Sequence, residues 1–440
     1  MSETWSLAEA LTWLEGHVNL EATTLSRREA PTLERIRELT GLMGDPQDAY
    51  PVIHITGTNG KGSTARMAST LLMARNLSVG TYTSPDLQTI NERLAWNLQP
   101  ISDEDLAAVL GSLADLENLV QAVPHRFDLL TAAAFRWFAD VAVDAAVVEV
   151  GLGGTWDATN VVRPVVAVVT NVELDHQEIL GPTRAEIAAD KAGIVKGGSV
   201  LVLGEDDPDL APIFDRAAQA AGAGAVWRRG ADFACEDNRL AHGGRLVTLR
   251  TPGAVYRDVY LPVHGAHQGQ NAACALAAAE AFFGRPLPSD LVEEAFGAVR
   301  TPGRMEVVGR QPLCVLDGAH NPAGARAAAA TLAEEFAGVE GLVLVVGVLQ
   351  GRDPVEMLEA LGAERARLVV ATRPPSPRGL APSELVAAAG RLGVAAVEAP
   401  VVSDAVKLAL EEARAEELVL ITGSLYVVGA ARSELVSDPV

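Results

Sequence analysis

Apolar residues recur along this chain in two rhythms. Leu7, Leu11 and Leu14, and then Leu33, Ile36 and Leu39 after Pro31, keep helical spacing, which predicts helices within residues 1–45. Beyond them come short continuous apolar runs at 52–56 (VIHIT), 145–150 (AAVVEV), 165–170 (VVAVVT) and 199–203 (SVLVL), separated by stretches long enough for helices. Strands apolar at every position are buried on both faces, and parallel neighbours need crossovers. The pattern therefore predicts βαβ units and a mostly parallel sheet. Residues 225–263 break into short strand-like pieces divided by Gly and Pro, which predicts a small antiparallel appendage; an Ala-rich helix follows from Gln270 to Phe283. After the turn-rich segment 297–304 the alternation restarts, with strands at 313–316, 342–348, 368–371 and 418–422 and helices at 322–336 and 403–413. This predicts a second, doubly wound α/β domain from about residue 304, with PPSPRG (374–379) as an exposed loop.

Composition narrows the function. With 35 basic and 57 acidic residues the net charge is −22, which argues against nucleic acid or a membrane surface as partner. A hydrophobic fraction of 49% with 21% charged residues belongs to a well-cored globular chain. No apolar run is long enough to span a bilayer, and MSETWSLAEA lacks a basic leader segment. Cys235, Cys274 and Cys314 lie far apart without metal-ligand spacing. These features predict a soluble cytoplasmic protein.

Candidate chemistry sits where strands end. ITGTNGKGST (55–64) follows a strand and opens a helix, so backbone N–H groups and Lys61 can cradle phosphate; the spacing is shorter than a Walker A loop. Glu149 closes the run AAVVEV. A buried carboxylate there needs a cation, and a magnesium ion serving a nucleotide is the natural one. Asp175 and His176 follow the next strand in the same way. Lys191 shares an apolar helical stripe with Ile187 and Ile194, in a helix that Thr183 and Glu186 start with a capping box. Residues alone favour a snorkelling lysine meeting Asp190 or a phosphate; the alternative is a neutral lysine that has taken up carbon dioxide as a carbamate. In the second half, Asp317 ends a strand and His320 precedes a helix, while Arg304 lies at the hinge. Asp317 can accept ribose hydroxyls, His320 can touch a transferring phosphate, and Arg304 can reach nucleotide phosphates on closure; a plain loop role is as good a reading of each alone.

Taken together, GTNGKGS (57–63), TSPDL (83–87), EVGLGG and DATN (149–160), DHQEILGPT to KAGIVK (175–196), HQGQNAA (267–273), TPGRMEVV (301–308), DGAHNP (317–322) and GSLYVVG (423–429) closely resemble the folylpolyglutamate synthase/dihydrofolate synthase family of the Mur ligase superfamily. The resemblance runs through nearly the whole chain in order. It implies an α/β fold with a P-loop-type ATPase domain over 1–298 and a Rossmann-like ligase domain over 299–440. It implies ATP phosphates on Thr58, Asn59, Gly60, Lys61, Gly62 and Ser63, and further ATP contacts from Asn271, Arg304 and Asp317, with His320 close by. Ser84, Glu149, His176 and Lys191 would match magnesium ligands, two ions in all. Lys191 takes the place of a carbamylated lysine, which reverses the preference for snorkelling. Phe127, Asp128 and Asp157 would line the pterin or folate side. The chain departs from the family pattern at Asp128 (usually Glu), at Thr155-Trp156 before Asp157 (usually Arg-Leu) and at Asp86 (usually His).

The implied reaction joins L-glutamate to the carboxylate of a folate or dihydropteroate through an acyl phosphate. ATP supplies the phosphoryl group, and a monomer closes its two domains about 297–304 to exclude water. Lys61, Lys191, Lys196, Arg304 and Arg326 are expected to offset the acidic total charge around the site. The rivals are a Mur-type ligase acting on a peptidoglycan precursor, for which the phosphate loop begins too early to leave room for a UDP-substrate domain, and a nucleotide-binding switch that forms no bond.

Overall fold

The computed structural model describes residues 5–22 and 32–437; residues 1–4 and Pro31, used above, lie outside them. The first sheet contains β1 (Val52–Thr56), β2 (Val79–Tyr82), β3 (Leu94–Trp96), β4 (Gln99–Pro100), β5 (Ala145–Glu149), β6 (Val166–Val169), β7 (Val200–Leu203) and β8 (Ala225–Arg228). Their order is β4-β3-β2-β5-β1-β6-β7-β8, parallel from β2 to β8 and antiparallel where β3 and β4 extend the edge. The all-apolar strands are buried on both faces, as their sequences require. Ile53, Ile55, Ala145 and Val147 face the helices Lys61–Ala74 and His267–Phe283. Val52, Ala146 and Val148 face the opposite layer, which contains the predicted helix Leu7–Glu15 and the helix Arg126–Asp140. The helices Arg184–Lys191 and Ala211–Ala221 cover β6 and β7 on that side.

A second sheet of β9 (Ala234–Ala241), β10 (Gly244–Arg250) and β11 (Val255–Leu261) is antiparallel, as predicted for the appendage. One correction applies: residues 225–228, assigned above to the appendage, are β8 and extend the main parallel sheet beside β7. Four half-buried residues carry no pattern that separates the two outcomes.

The third sheet is formed by β12 (Glu306–Arg310), β13 (Leu313–Leu316), β14 (Leu342–Val346), β15 (Ala366–Ala371), β16 (Ala396–Glu398) and β17 (Leu418–Thr422), in the order β12-β13-β17-β14-β15-β16. Only β12 runs antiparallel. Helices Pro322–Glu335, Pro354–Ala360 and Pro382–Arg391 cover one face, Val402–Glu412 and Leu425–Leu435 the other, so this half is doubly wound as expected. The segment 374–379 is a loop, but only partly exposed: Pro374 and Gly379 are buried, and Gly379 bridges Leu349.

The carboxyl ends of both parallel sheets face one cleft, where Gly57, Glu149 and Thr170 of the first half meet Asp317 and Gly318 of the second. Ligands of open α/β sheets bind at such edges. Helix Pro322–Glu335 spans the two halves. Asn321, its N-cap, donates to Asp175 at 2.8 Å and to Asn59 at 3.0 Å, while Glu334 and Glu335 at its far end pair with the buried Arg245 of β10.

Candidate active site

The phosphate loop leaves β1 at Thr56 and turns through Gly57–Gly60 into the helix Lys61–Ala74. Gly60 has φ +81°, and a Cβ there would lie 2.3 Å from Asn271 Oδ1, so only glycine fits between the loop and the helix His267–Phe283. The loop is fastened from the end of β6. Asn171 O accepts from Thr58 N at 3.0 Å, Asn171 Oδ1 accepts from Asn59 N at 2.9 Å, and the Thr170 hydroxyl donates to Asn59 O at 2.7 Å. The sequence reading missed Thr170 and Asn171. As the two residues that follow β6, at the same sheet edge as Glu149, they had a positional signal.

Glu149 is buried and takes Ser84 N at 3.3 Å. Burial pushes its carboxyl pKa up, against the pull of Lys61. It lies beside the loop: a Cβ on Gly62 would be 3.4 Å from Oε2. Lys191 is 3% exposed and makes no ion pair among the described residues, so it does not snorkel. Burial and the Lys61 charge push its ammonium down to about 7, despite Asp175, Asp190 and Asp157. Thr183 does cap the Lys191 helix, accepting from Glu186 N at 3.2 Å.

Asp175 ties the halves together, pairing with Arg352 and accepting from Asn321 Nδ2 at 2.8 Å. Burial opposes its ionisation, but His176, Arg352 and His320 outweigh that and hold the carboxyl well below the usual range. His176 has a left-handed backbone, φ 49°, and its Nε2 is 3.7 Å from Asp175. His320 has Nδ1 3.0 Å from Gly318 O, so Nδ1 carries the proton and donates it. Burial pushes this ring down to about 4, which keeps it neutral. The Asp317 carboxylate accepts Met305 N and Ala319 N, each at 3.0 Å, and Arg304 Nη1 donates to Gly318 O at 3.1 Å.

These groups line one cleft of about 390 Å³: the loop Thr58–Ser63, Ser84, Glu149, His176, Lys191, Asn271, Arg304, Asp317 and His320. Two cations expected there are not. Lys196 Nζ donates to Gly193 O at 2.9 Å, and Arg326 is exposed outside the lining; Arg229 lines the cleft instead.

A second pocket of about 220 Å³ adjoins the first, and Ser84, Gly151, His176 and His320 belong to both. Phe127, Asp128 and Asp157 line it, together with Arg352, Arg378, Ser424 and Tyr426, which the sequence reading did not select. Arg352 follows β14 at the same sheet edge as Asp317, and that position was its available signal. Asp128 accepts from His125 N at 2.8 Å, closing the first turn of its helix, and burial pushes its pKa up to about 6. Asp157 accepts from Leu152 N and Thr159 N, each at 2.9 Å.

The family departure at Asp86 has a local reason. Asp86 pairs with Arg93, which is 2% exposed and also grips Glu21 with two bonds of 2.9 and 2.8 Å. Arg93→Met leaves Asp86 without its bonded cation and Glu21 with only Arg126, 3.6 Å away, and is expected to cost about 3 kcal/mol, read as a lower Tm.

A model of the Mur ligase middle domain matches residues 55–279, and one of the Mur ligase glutamate ligase domain matches residues 303–425. The chain is 41% identical to the dihydrofolate synthase/folylpolyglutamate synthase of Mycobacterium tuberculosis over 93% of this chain and 91% of that one. It is 36% identical to the folylpolyglutamate synthase of Lacticaseibacillus casei, covering 91% and 94%. Among solved structures, M. tuberculosis folylpolyglutamate synthase complexed with ADP and AMPPCP superposes with a TM-score of 0.91 at 39% identity, covering 99% of this chain and 100% of that one. Escherichia coli FolC in complex with DHPP and ADP gives a TM-score of 0.85 at 29% identity, covering 98% and 97%. The chain belongs to the folylpolyglutamate synthase/dihydrofolate synthase family of the Mur ligase superfamily and is an ATP-dependent ligase that joins glutamate to folate.

Proposed function

We propose that this ligase adds L-glutamate to reduced folates and to dihydropteroate through an acyl phosphate, in a cleft between residues 1–298 and 299–440 of a single chain. The observation that carries this reading is the meeting of two pockets at Ser84, His176 and His320: a polar cleft around the phosphate loop, and a pocket walled by Phe127 and the 151–158 turn. A γ-phosphoryl group in the first reaches an acceptor carboxylate entering from the second.

A carboxylate does not condense with an amine at neutral pH because oxide is a poor leaving group. In the first step a carboxylate oxygen bonds the γ-phosphorus and the bond to the β–γ bridging oxygen breaks, giving acyl phosphate and ADP. In the second the glutamate nitrogen bonds the acyl carbon, the nitrogen loses its proton and phosphate departs. Thr58–Ser63 hold the phosphates with backbone N–H groups, and Lys61 and Arg304 offset the charge that spreads over the phosphoryl oxygens. Asn271 and Asp317 hold the nucleoside. Neutral His320, with its proton committed to Gly318, offers Nε2 as a hydrogen-bond acceptor that orients the amino group. Asp175 with Arg352 and Asn321 keeps the halves together, which protects the acyl phosphate from water.

The donor set suits magnesium. Glu149 is a buried carboxylate beside the loop, and among the described residues no group of three or more His, Cys, Asp and Glu could hold a metal unaided, so an ion there would need phosphate oxygens and water as further ligands. Ser84 and Glu149 would hold one ion, and His176 with a carbamylated Lys191 a second; bound there, the ions supply neutralisation of phosphate charge. The Lys191 environment supports the modification. A buried amine without a counter-ion is partly neutral, its nitrogen can bond the carbon of carbon dioxide and lose a proton, and the product carries two hard oxygens. Protein equilibrated with ¹³C-labelled carbon dioxide is expected to show a carbamate carbon signal that Lys191→Ala lacks.

Phosphate release with ATP, magnesium, glutamate and either dihydropteroate or tetrahydrofolate tests the whole reading. Release that requires both co-substrates, for either acceptor, is expected. Release without an acceptor, or only with a UDP-sugar peptide, contradicts it.

A further inference from the structure

His54 lies in the middle of β1, the strand that feeds the phosphate loop, and is fully buried. Its Nε2 is 2.8 Å from Thr159 Oγ1, and the Thr159 hydroxyl is 2.5 Å from Asp157 Oδ1. His54 Nδ1 has no hydrogen-bond partner among the described residues. Proton counting orders this chain. Burial pushes the Asp157 carboxyl pKa up, but both its oxygens accept backbone N–H groups, Oδ2 from Leu152 and Oδ1 from Thr159, the bonding pattern of an ionised carboxylate, and the proton count takes it as ionised. Thr159 has one hydroxyl proton and gives it to Asp157, so the proton between His54 and Thr159 belongs to Nε2. The orphaned Nδ1 is then a bare lone pair, a smaller penalty than a buried N–H without an acceptor. Burial also pushes the imidazole down to about 3, so the ring is neutral.

We infer that His54 is a positioning residue for the folate side: as an Nε2–H donor it orients Thr159, Thr159 orients Asp157, and Asp157 fixes the 151–158 turn that walls the second pocket. The turn has no slack. A Cβ on Gly151 would lie 2.6 Å from the Phe127 ring and 3.2 Å from Asp157 Oδ2, and Gly153 O accepts the Thr56 hydroxyl at 2.6 Å. A rotation of Asp157 therefore moves the pocket wall against Phe127. His54 touches no substrate in this arrangement and reaches the pocket through two side chains. The inference rests on the proposal that this pocket takes the folate or dihydropteroate.

Thr159→Val, His54→Phe, His54→Gln and Phe127→Ala test it in the full chain. Thr159→Val and His54→Phe break the relay at different points. Each is expected to raise KM for the folate about tenfold while KM for ATP stays within about twofold. His54→Gln puts an amide N–H near the imidazole Nε2 and is expected to restore folate KM to within about threefold of wild type. ADP-dependent stabilisation reports folding; if His54→Phe fails it, Thr159→Val decides. Nitrogen NMR of histidine-labelled protein at neutral pH is expected to show His54 protonated on Nε2. An unchanged folate KM in Thr159→Val, equal rises in folate and ATP KM, failure of His54→Gln to rescue, or a proton on Nδ1 overturns the relay. Phe127→Ala separates the two layers. If it leaves folate KM unchanged, the pocket assignment falls and takes the purpose of the relay with it; if it raises folate KM while Thr159→Val does not, the relay alone falls.

Discussion

Lys191→Ala is expected to lower glutamate addition about a thousandfold while ADP affinity stays within about threefold of wild type. The side chain is sealed in the cleft wall and makes no ion pair among the described residues, so its removal breaks no bonded pair, though Asp190 loses a cation that lowers its pKa. What would be lost is chemistry: in the proposed carbamate form Lys191 would supply oxygen ligands beside His176. The phosphate loop is fastened by Thr170 and Asn171 and does not depend on Lys191, so nucleotide binding survives. Small carboxylates such as acetate are expected to restore part of the rate by occupying the vacated space. The measurement is steady-state turnover alongside ADP titration; wild-type turnover would remove Lys191 from the mechanism.

Lys61→Ala is expected to act differently, lowering kcat by about a hundredfold or more and raising KM for ATP together. Lys61 opens its helix with Nζ 3.4 Å from Thr58 O, in the cradle itself. It is also a charge that raises the cost of protonating Lys191 and lowers the cost of ionising Glu149. Its loss therefore reaches both sides of the phosphoryl site, whereas Lys191→Ala spares nucleotide binding. Parallel kinetics of the two variants separate a binding defect from one confined to the reacting centre. Equal ATP KM values in Lys61→Ala and wild type would contradict the cradle assignment.

Much of this arrangement was legible in the chain because strand ends announce themselves. Glu149 and Asp317 each close an apolar run, and a carboxylate in that place marks the ligand edge of a parallel sheet. Lys191 was legible because an ammonium on an apolar helical stripe is costly enough to need a reason. What stayed hidden depends on partners distant in sequence. Asn321 and Asp175 are 146 positions apart, and Arg352 meets Asp175 only when the two halves stand face to face. Asp157 and Asp128 were read as substrate-side residues on resemblance, and each also holds backbone N–H groups of its own turn. A sequence shows such a carboxylate without showing which demand it meets. Small edge strands were lost for a simpler reason: β3 and β4 hold three and two residues, too few for a period to register.

The charge balance shows a similar division. A net charge of −22 argues against partners bound through a general positive field, yet it does not describe the cleft, where Lys61, Arg229 and Arg304 gather.

Transfer of labelled oxygen tests the acyl-phosphate route most directly. Folate carrying oxygen-18 in the reacting carboxylate is turned over with ATP and glutamate, and the released phosphate is examined by mass spectrometry. The predicted result is one labelled oxygen in each phosphate released, because the carboxylate oxygen that attacks phosphorus leaves with it. Unlabelled phosphate accompanied by full glutamate addition would contradict the account.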